Sequence, residues 1–166
     1  MSLMRRARAQ QGASGRRILF PFNGSTVSQA TLELTLSLAR AQDATLVPAY
    51  LAVIPHQLSL DAPGPVRESE AAVPLLELIE QRATQGGVPV DARIGRGRTP
   101  RHALALLMYS ERFDTVVVAA KTTATEGFEA DDVAWLLESS PAEVLVLRPG
   151  SGSAAGAGRG EGEIGV

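Results

Sequence analysis

The chain has 166 residues, 45% of them hydrophobic, which is enough for one core, so we expect a single domain. A formal net charge of −2 excludes a global field that would draw the chain to nucleic acid or anionic lipid. The absence of cysteine excludes disulfides and thiolate metal sites, and with only two histidines, His56 and His102, we expect no metal centre.

Both ends of the chain are poor in large apolar residues. Residues 1–15 carry Arg5, Arg6 and Arg8 with no apolar signal segment behind them, and residues 150–166 are rich in glycine. No apolar run reaches the ~18 residues that a membrane span needs. We therefore predict flexible, dispensable segments at 1–15 and 150–166, a folded domain at 16–149, no membrane partner and a cytoplasmic location.

Strand-like and helix-like segments alternate between those ends. The patterns predict, in chain order, a strand Arg17–Phe22, a helix Ser28–Ala41, a strand Thr45–Val53, a helix from about Ser69 to Gly86, a strand Val88–Ile94, a helix opened by Thr99 and Pro100, a strand Phe113–Ala120, a helix Asp131–Ser139 and a strand Val144–Arg148. Pro48 removes one ladder donor from the second strand, which predicts an irregularity there.

Five strands separated by helices predict an α/β fold with a parallel sheet covered on both faces, because each right-handed crossover places a helix on one side. Ligands of such sheets bind beyond the carboxyl ends of the strands. For this chain those ends are 22–25 and 119–128.

The segment RILFPFNGSTVSQATLELTLSLARAQDATLVPAYL resembles the opening of the universal stress protein family, whose usual form is a strand, Asp-Gly-Ser and a long helix. The later segments GRTP, DTVVVA and SPAEVLVLRP are similar to that family in order and spacing, so the resemblance covers roughly 16–149. It implies a single-domain, Rossmann-like, doubly wound five-stranded parallel sheet in the order 3-2-1-4-5. It also implies a dimer and a role in stress response.

The resemblance fails at the loop after the fourth strand. ATP-binding members of the family carry paired glycines there and then Gly followed by Ser or Thr, because small residues let backbone amides approach phosphate. This chain has Ala119 and Thr122 near the paired positions, Ala130 and Asp131 at the last pair, and a loop about two residues short. The carboxylate lies where a helix N-terminus would otherwise stabilise phosphate. Asn23 replaces the aspartate that contacts adenosine.

Two functional hypotheses follow. The first is a non-enzymatic, dimeric stress-response module with an unknown protein partner, no ATP and no catalytic residue. The second is a nucleotide or small-anion binding protein, with weak ATPase activity as one form of it, which uses the pocket residues Asn23, Gly24, Ser25, Ala119, Lys121, Thr122, Ala130 and Asp131. For the dimer we expect pairing through the last strand, at Val144, Leu145, Val146 and Leu147, because it ends the sheet order that the family implies.

The remaining polar residues have ordinary interpretations. Asp131 and Asp132 are typical of a helix cap, and the basic group around the third strand (Arg93, Arg96, Arg98, Arg101 and His102) is typical of a solvated rim because no aromatic residues interleave with it. Trp135 lies off the apolar stripe of its helix, which leaves open burial within the domain or contact with a partner. No Gly-x-Ser-x-Gly segment is present, which argues against a serine hydrolase.

Overall fold

The computed structural model describes residues 15–24, 26–61, 67–122 and 126–150. Strands and helices alternate along them: β1 (Arg17–Phe22), α1 (Gln29–Ala41), β2 (Thr45–Val53), α2 (Arg67–Gln85), β3 (Arg93–Gly97), α3 (Pro100–Ser110), β4 (Thr115–Ala119), α4 (Ala130–Ser139) and β5 (Glu143–Leu147). The predicted flexible ends lie outside the described residues, apart from Gly15 and Gly150.

The five strands form one parallel sheet in the order β3-β2-β1-β4-β5. Ile18 of the central strand β1 pairs with Leu46 of β2 on one side and with Thr115 of β4 on the other. The predicted fold class, a doubly wound α/β sheet in the order 3-2-1-4-5, is therefore confirmed.

Alternate side chains of the strands build a core on each face of the sheet. One core contains Ile18, Phe20 and Val117 with residues of α1 and α2, and the other contains Leu19 and Val116 with residues of α3 and α4. Successive strand residues point to opposite faces, which is why residues 18 and 19 join different cores. The helices thus cover both faces, as the alternation predicts.

Local sequence sets the starts of two helices. The Ser28 side chain accepts a hydrogen bond from the Thr31 backbone N–H at the start of α1. Thr99 accepts from the His102 backbone N–H at the start of α3, with Pro100 as the first helical residue. These are the cap and proline positions that the sequence predicts for the third helix.

The third strand was predicted at Val88–Ile94, and that placement is wrong, because β3 spans Arg93–Gly97. Val90 makes only an isolated bridge with Leu46. The Leu46 N–H donates to Pro89 O, and the Leu46 carbonyl accepts from the Asp91 N–H. The next residue of β2 whose backbone groups point to this neighbouring segment is Pro48, which has no N–H to donate. Regular pairing resumes only at Ala49 with Arg93, so the predicted irregularity at Pro48 appears as this break.

Candidate functional site

A cleft of about 580 Å³ lies at the carboxyl ends of β1, β2 and β4, beside the starts of α3 and α4. Its described lining contains the polar groups Asn23, Lys121, Glu126, Glu129 and Asp132. The remaining lining residues are apolar or small: Gly24, Tyr50, Leu51, Val53, Pro100 and Gly127. The sheet order reverses between β1 and β4, so the cleft lies at the topological switch point, where ligands of such sheets bind.

A carboxylate from the segment after β4 contacts the chain between β1 and α1. Glu126 Oε2 accepts a hydrogen bond of 3.2 Å from the Thr26 backbone N–H. Gly24 has a φ of +83°, and a β-carbon placed on it would lie 2.5 Å from the same carboxylate oxygen. The backbone conformation favours glycine here, whereas an added β-carbon would displace only the exposed end of the Glu126 side chain.

The segment that carries Glu126 is folded back onto the end of β4. Phe128 donates its backbone N–H to Ala119 O at 2.8 Å and accepts from the Lys121 N–H at 2.9 Å. A β-carbon on Gly127 would lie 2.6 Å from Ala119 O, so only glycine permits this approach. The buried ring of Phe128 anchors the segment in the core. This anchor places Glu126 within hydrogen-bond distance of Thr26, between β1 and α1.

The cations beside the cleft are paired with carboxylates. Lys121 Nζ lies 2.6 Å from Glu129 Oε1, and this hydrogen bond is the main cause that raises the pKa of Lys121 above its ordinary value. Arg101 Nε lies 2.8 Å from Asp132 Oδ1. Of the described residues that line the cleft, Lys121 alone is cationic, and three are carboxylates.

The structure brings together only part of the predicted pocket. Asn23, Gly24 and Lys121 line the cleft. Ala119 and Asn23 also line a small cavity of about 20 Å³ between the carboxyl ends of β1 and β4. Ser25 lies outside the described residues.

Three other predicted pocket residues do not line the described part of the cleft: Thr122, Ala130 and Asp131. Ala130 and Asp131 are exposed in the first turn of α4, and the neighbouring Asp132 faces the cleft instead. The N-cap residue of α4 is Glu129, which makes no side-chain cap hydrogen bond. Asp131 and Asp132 were predicted to cap this helix, but Glu129 is at the N-cap position. The Asp132 carboxylate instead accepts a hydrogen bond from Arg101.

Sequence reasoning missed Glu126, Gly127 and Phe128 as site residues. One signal was present, because an isolated phenylalanine beside glycine in a polar loop indicates an anchored segment with a close backbone approach. The hydrogen bond between Glu126 and Thr26 had no such signal, because 100 residues separate the two.

Of the basic residues around β3, which were predicted to form a solvated rim, Arg98 and Arg101 are partly exposed and also have partners within the domain. Arg98 Nη1 donates to the backbone carbonyls of Ile54 at 3.2 Å and Leu58 at 2.8 Å, which ties the loop after β2 to the start of α3. The Arg101 guanidinium also lies 5.6 Å from the centre of the Trp135 ring. Trp135 is partly buried against the core beneath α3 and α4, so of the two predicted roles the structure supports burial within the domain.

In the part of the chain that the structure describes, no group of three or more His, Cys, Asp or Glu residues could hold a metal ion. Nor does any helix of that part have the length and apolar character to cross a membrane.

The sheet order and the cleft at its switch point define a doubly wound α/β protein with a ligand-sized site at the carboxyl edge. Residues 15–148 match the model of the universal stress protein family, and the chain belongs to that family.

Solved structures agree on the fold. A universal stress protein family member from Burkholderia pseudomallei has a TM-score of 0.62 at 21% identity, covering 82% of this chain and 98% of its own. A universal stress protein from Lactobacillus plantarum has a TM-score of 0.63 at 18% identity, covering 82% of this chain and 99% of its own. A member from Arabidopsis thaliana, solved with AMP bound, has a TM-score of 0.59 at 17% identity, covering 82% and 94%. No curated protein sequence matches the chain.

Proposed function

We propose that this universal stress protein acts as a non-enzymatic, dimeric module that works through protein contacts and does not use ATP. The observation that carries the proposal is the pairing of Lys121 with Glu129, because it neutralises the cation available to a phosphate in the described lining of the cleft. Glu126 and Asp132 add two further carboxylates to that lining. A cytoplasmic location stays a prediction from the sequence.

Electrostatics argues against a triphosphate in this cleft. A carboxylate ~4 Å from a phosphate costs roughly 4 kcal/mol at an effective dielectric of 20, which is about three orders of magnitude in affinity. Paired glycines that could offset this cost with backbone amides are absent, since Ala119 and Thr122 stand near their positions. Gly127, which follows β4 and lines the cleft, packs against the end of that strand.

A dimer is the second part of the proposal. β5 is an edge strand, and its side chains Leu145 and Val146 are 41% and 38% exposed. An apolar edge with unpaired backbone groups favours pairing with another chain, and a second copy of this one is the simplest partner.

Nucleotide binding is the competing function, because the cleft is large enough for a nucleoside and Asn23 offers an amide for base or ribose. The Arabidopsis thaliana protein is solved with AMP, and another universal stress protein structure is in complex with cAMP. These likenesses are below 25% identity and concern the fold, so they make nucleotides the right ligands to test.

Isothermal titration calorimetry with ATP decides between the two functions. We expect no dissociation constant below about 10 µM, with or without Mg²⁺. Both conditions are needed because Mg²⁺ bridges carboxylates to phosphates. The Arabidopsis thaliana protein with AMP serves as the positive control, and tighter binding of ATP by the wild-type chain in either condition would refute the proposal.

A further inference from the structure

A groove lies between α3 and α4, on the face of the sheet opposite to α1 and α2. It has a volume of about 300 Å³, and its lining includes Met108 and Tyr109 of α3 and Trp135, Leu136 and Ser139 of α4. None of the residues that line it belongs to the described lining of the cleft. The groove is therefore a surface distinct from the candidate site at the strand ends.

The side chains along this groove are typical of protein interfaces. Tyr109 is 94% exposed despite its aromatic ring, and Trp135 is only partly buried. Tyrosine, tryptophan and methionine are enriched at protein–protein interfaces, where aromatic residues supply much of the binding energy. An almost fully exposed aromatic side chain beside an apolar groove indicates a surface suited to a protein partner.

At one end the groove opens into an acidic recess, a cavity of about 560 Å³ at the amino ends of β4 and β5. The groove and the recess share Met108, Tyr109 and Pro141, so they form one continuous depression. The charged residues in the lining of the recess are Glu111, Asp114, Glu143 and Arg112. A partner that filled both would therefore contact an apolar surface and then an acidic one.

The carboxylates of the recess are not all neutralised within the domain. Two arginines pair with Glu111. Asp114 accepts a backbone N–H at 2.8 Å but forms no ion pair with the described residues, and Glu143 is 71% exposed in a pair of 3.4 Å with Arg16. Arg112 is exposed and also lacks an ion-pair partner among those residues. The recess thus has two exposed carboxylates and one unpaired arginine.

The helix ends add to the negative charge. Neither α3 nor α4 has a basic residue in its last turn, whereas α1 and α2 carry Arg40 and Arg82 there. A helix C-terminus carries partial negative charge, which favours a cation. Of the acidic residues in α4, only Asp132 has an ion-pair partner among the described residues, and Asp131 and Glu138 have none. The groove and the recess are therefore complementary to a positively charged partner.

We propose that the groove binds the apolar face of a basic amphipathic helix from a partner protein, with a lysine or arginine of that helix in the acidic recess. The inference rests on the proposed function, since it identifies the surface and the chemistry of the protein contact. Helices that bind in grooves place apolar side chains at i, i+3, i+4 and i+7 along one face. Those side chains contact Met108, Tyr109 and Trp135, and the cation lies near Asp114 and Glu143.

Trp135 is the single tryptophan of the chain, so its fluorescence reports directly on the groove. Two synthetic amphipathic helical peptides without tryptophan or tyrosine are compared, which have leucine at the same apolar positions and carry either lysine or glutamate at the others. Titrated into the full-length protein, the lysine peptide should shift the Trp135 emission and bind at least about ten-fold more tightly than the glutamate peptide. Raising the salt concentration should weaken its binding, because salt screens exposed charges.

Substitutions at Ser139 locate the binding. Ser139→Arg places a bulky cation in the groove and should weaken binding of the lysine peptide by about ten-fold or more. Ser139→Ala is the matched control and should leave the affinity within about two-fold of wild type. Ser139 is exposed, so neither change disturbs the core. Tyr109→Ala, which removes an exposed ring and leaves no cavity, should also weaken binding.

Equal binding of the two peptides would refute the basic partner, and no binding, or an unchanged affinity in Ser139→Arg, would refute the groove as its site. A shift of Trp135 emission with protein concentration alone, removed by Ser139→Arg, would assign the groove to a second copy of this chain. Tighter binding of a synthetic peptide of residues 1–14 or 151–166 than of the lysine peptide would assign it to the chain's own ends. Each of these results overturns the proposal, whereas the proposed function fails separately, through tight binding of ATP by the wild-type protein.

Discussion

Gly97, the last residue of β3, lies against the backbone of Ala103 in α3. A β-carbon on Gly97 would lie 2.3 Å from the Ala103 nitrogen, a distance that no packing adjustment of side chains can relieve. This contact sets how closely α3 approaches the sheet, and α3 begins at Pro100, which lines the cleft. The glycine therefore helps to define the shape of the candidate site.

We expect Gly97→Ala to destabilise the fold by about 1–3 kcal/mol, the usual cost of overpacking a core. Gly95→Ala is the matched control on the same strand, since its nearest contact, at 3.2 Å, is a side-chain atom of Leu51 rather than backbone. Its cost should stay below about 1 kcal/mol. Urea denaturation of both variants gives the comparison, and equal costs would contradict the role assigned to the Ala103 contact.

An ion-pair cluster ties β1, β3 and the end of α3 together at the other end of the sheet. Glu111 lies 3.0 Å from Arg17 Nη2 and 2.7 Å from Arg93 Nε. Partial burial of Glu111 opposes its ionisation, but the hydrogen bonds from Arg93 and Arg17 outweigh burial and lower the pKa of its carboxyl. The cluster is only partly exposed, so solvent screens it less than a surface pair.

Glu111→Gln should therefore cost about 1–2 kcal/mol of unfolding free energy at pH 7. Because the folded pKa lies below the unfolded value of 4.5, this contribution is fully present above pH 4.5 and is lost as the pH falls through the folded pKa. The difference between wild type and Glu111→Gln should thus be smaller at pH 4 than at pH 7.

Urea denaturation at both pH values measures this difference. Glu33→Gln is the control, because its partner Arg82 lies 2.8 Å away in a pair that is well exposed on both sides. That variant should lose less than about 1 kcal/mol. A difference for Glu111→Gln that stays constant between the two pH values would contradict the assignment of the lowered pKa.

The two edges of the sheet allow a direct test of the proposed dimer. Val146 on β5 is 38% exposed and Ile94 on β3, the opposite edge, is 42% exposed. If β5 forms the interface, Val146→Asp should shift the protein from twice the monomer mass toward the monomer, because an unpaired charge would be buried between the chains. Ile94→Asp should leave the mass unchanged.

Light scattering across a micromolar concentration series provides the measurement. A wild-type protein that is monomeric throughout would remove the dimer from the proposal. Dissociation by Ile94→Asp, with Val146→Asp still dimeric, would move the interface to the opposite edge strand.

The two terminal segments give a prediction about domain bounds. A chain reduced to 16–150 should melt within a few degrees of the full-length protein, since the removed residues carry too little apolar surface to offset the entropy lost on ordering them. Thermal denaturation followed by circular dichroism measures this. A larger fall would show that one of the two segments packs on the domain, and separate deletions would identify which.

Several elements could be predicted because their signals are local. Thr99 acts as a helix cap through a hydrogen bond from the backbone N–H three positions away, so the sequence alone locates the start of α3. The alternation of strands and helices likewise determined a parallel sheet, and the sheet order came from the resemblance to the family. β3 was misplaced because its sequence, RIGRG, has the glycines of a loop, and these glycines serve packing against α3.

The candidate site was harder, and its residues show why. From the sequence, Asn23 and Lys121 could be placed at strand ends, and both line the cleft. The absence of the family's glycines from the loop after β4 stays a prediction. Only the tertiary structure decided that Glu126 rests on the turn at Gly24, that Asp132 rather than Asp131 faces the cleft, and that Lys121 is paired with Glu129. Helix caps and strand periods are properties of neighbouring residues, whereas the Glu126 contact joins residues 100 positions apart and depends on where the whole sheet brings them.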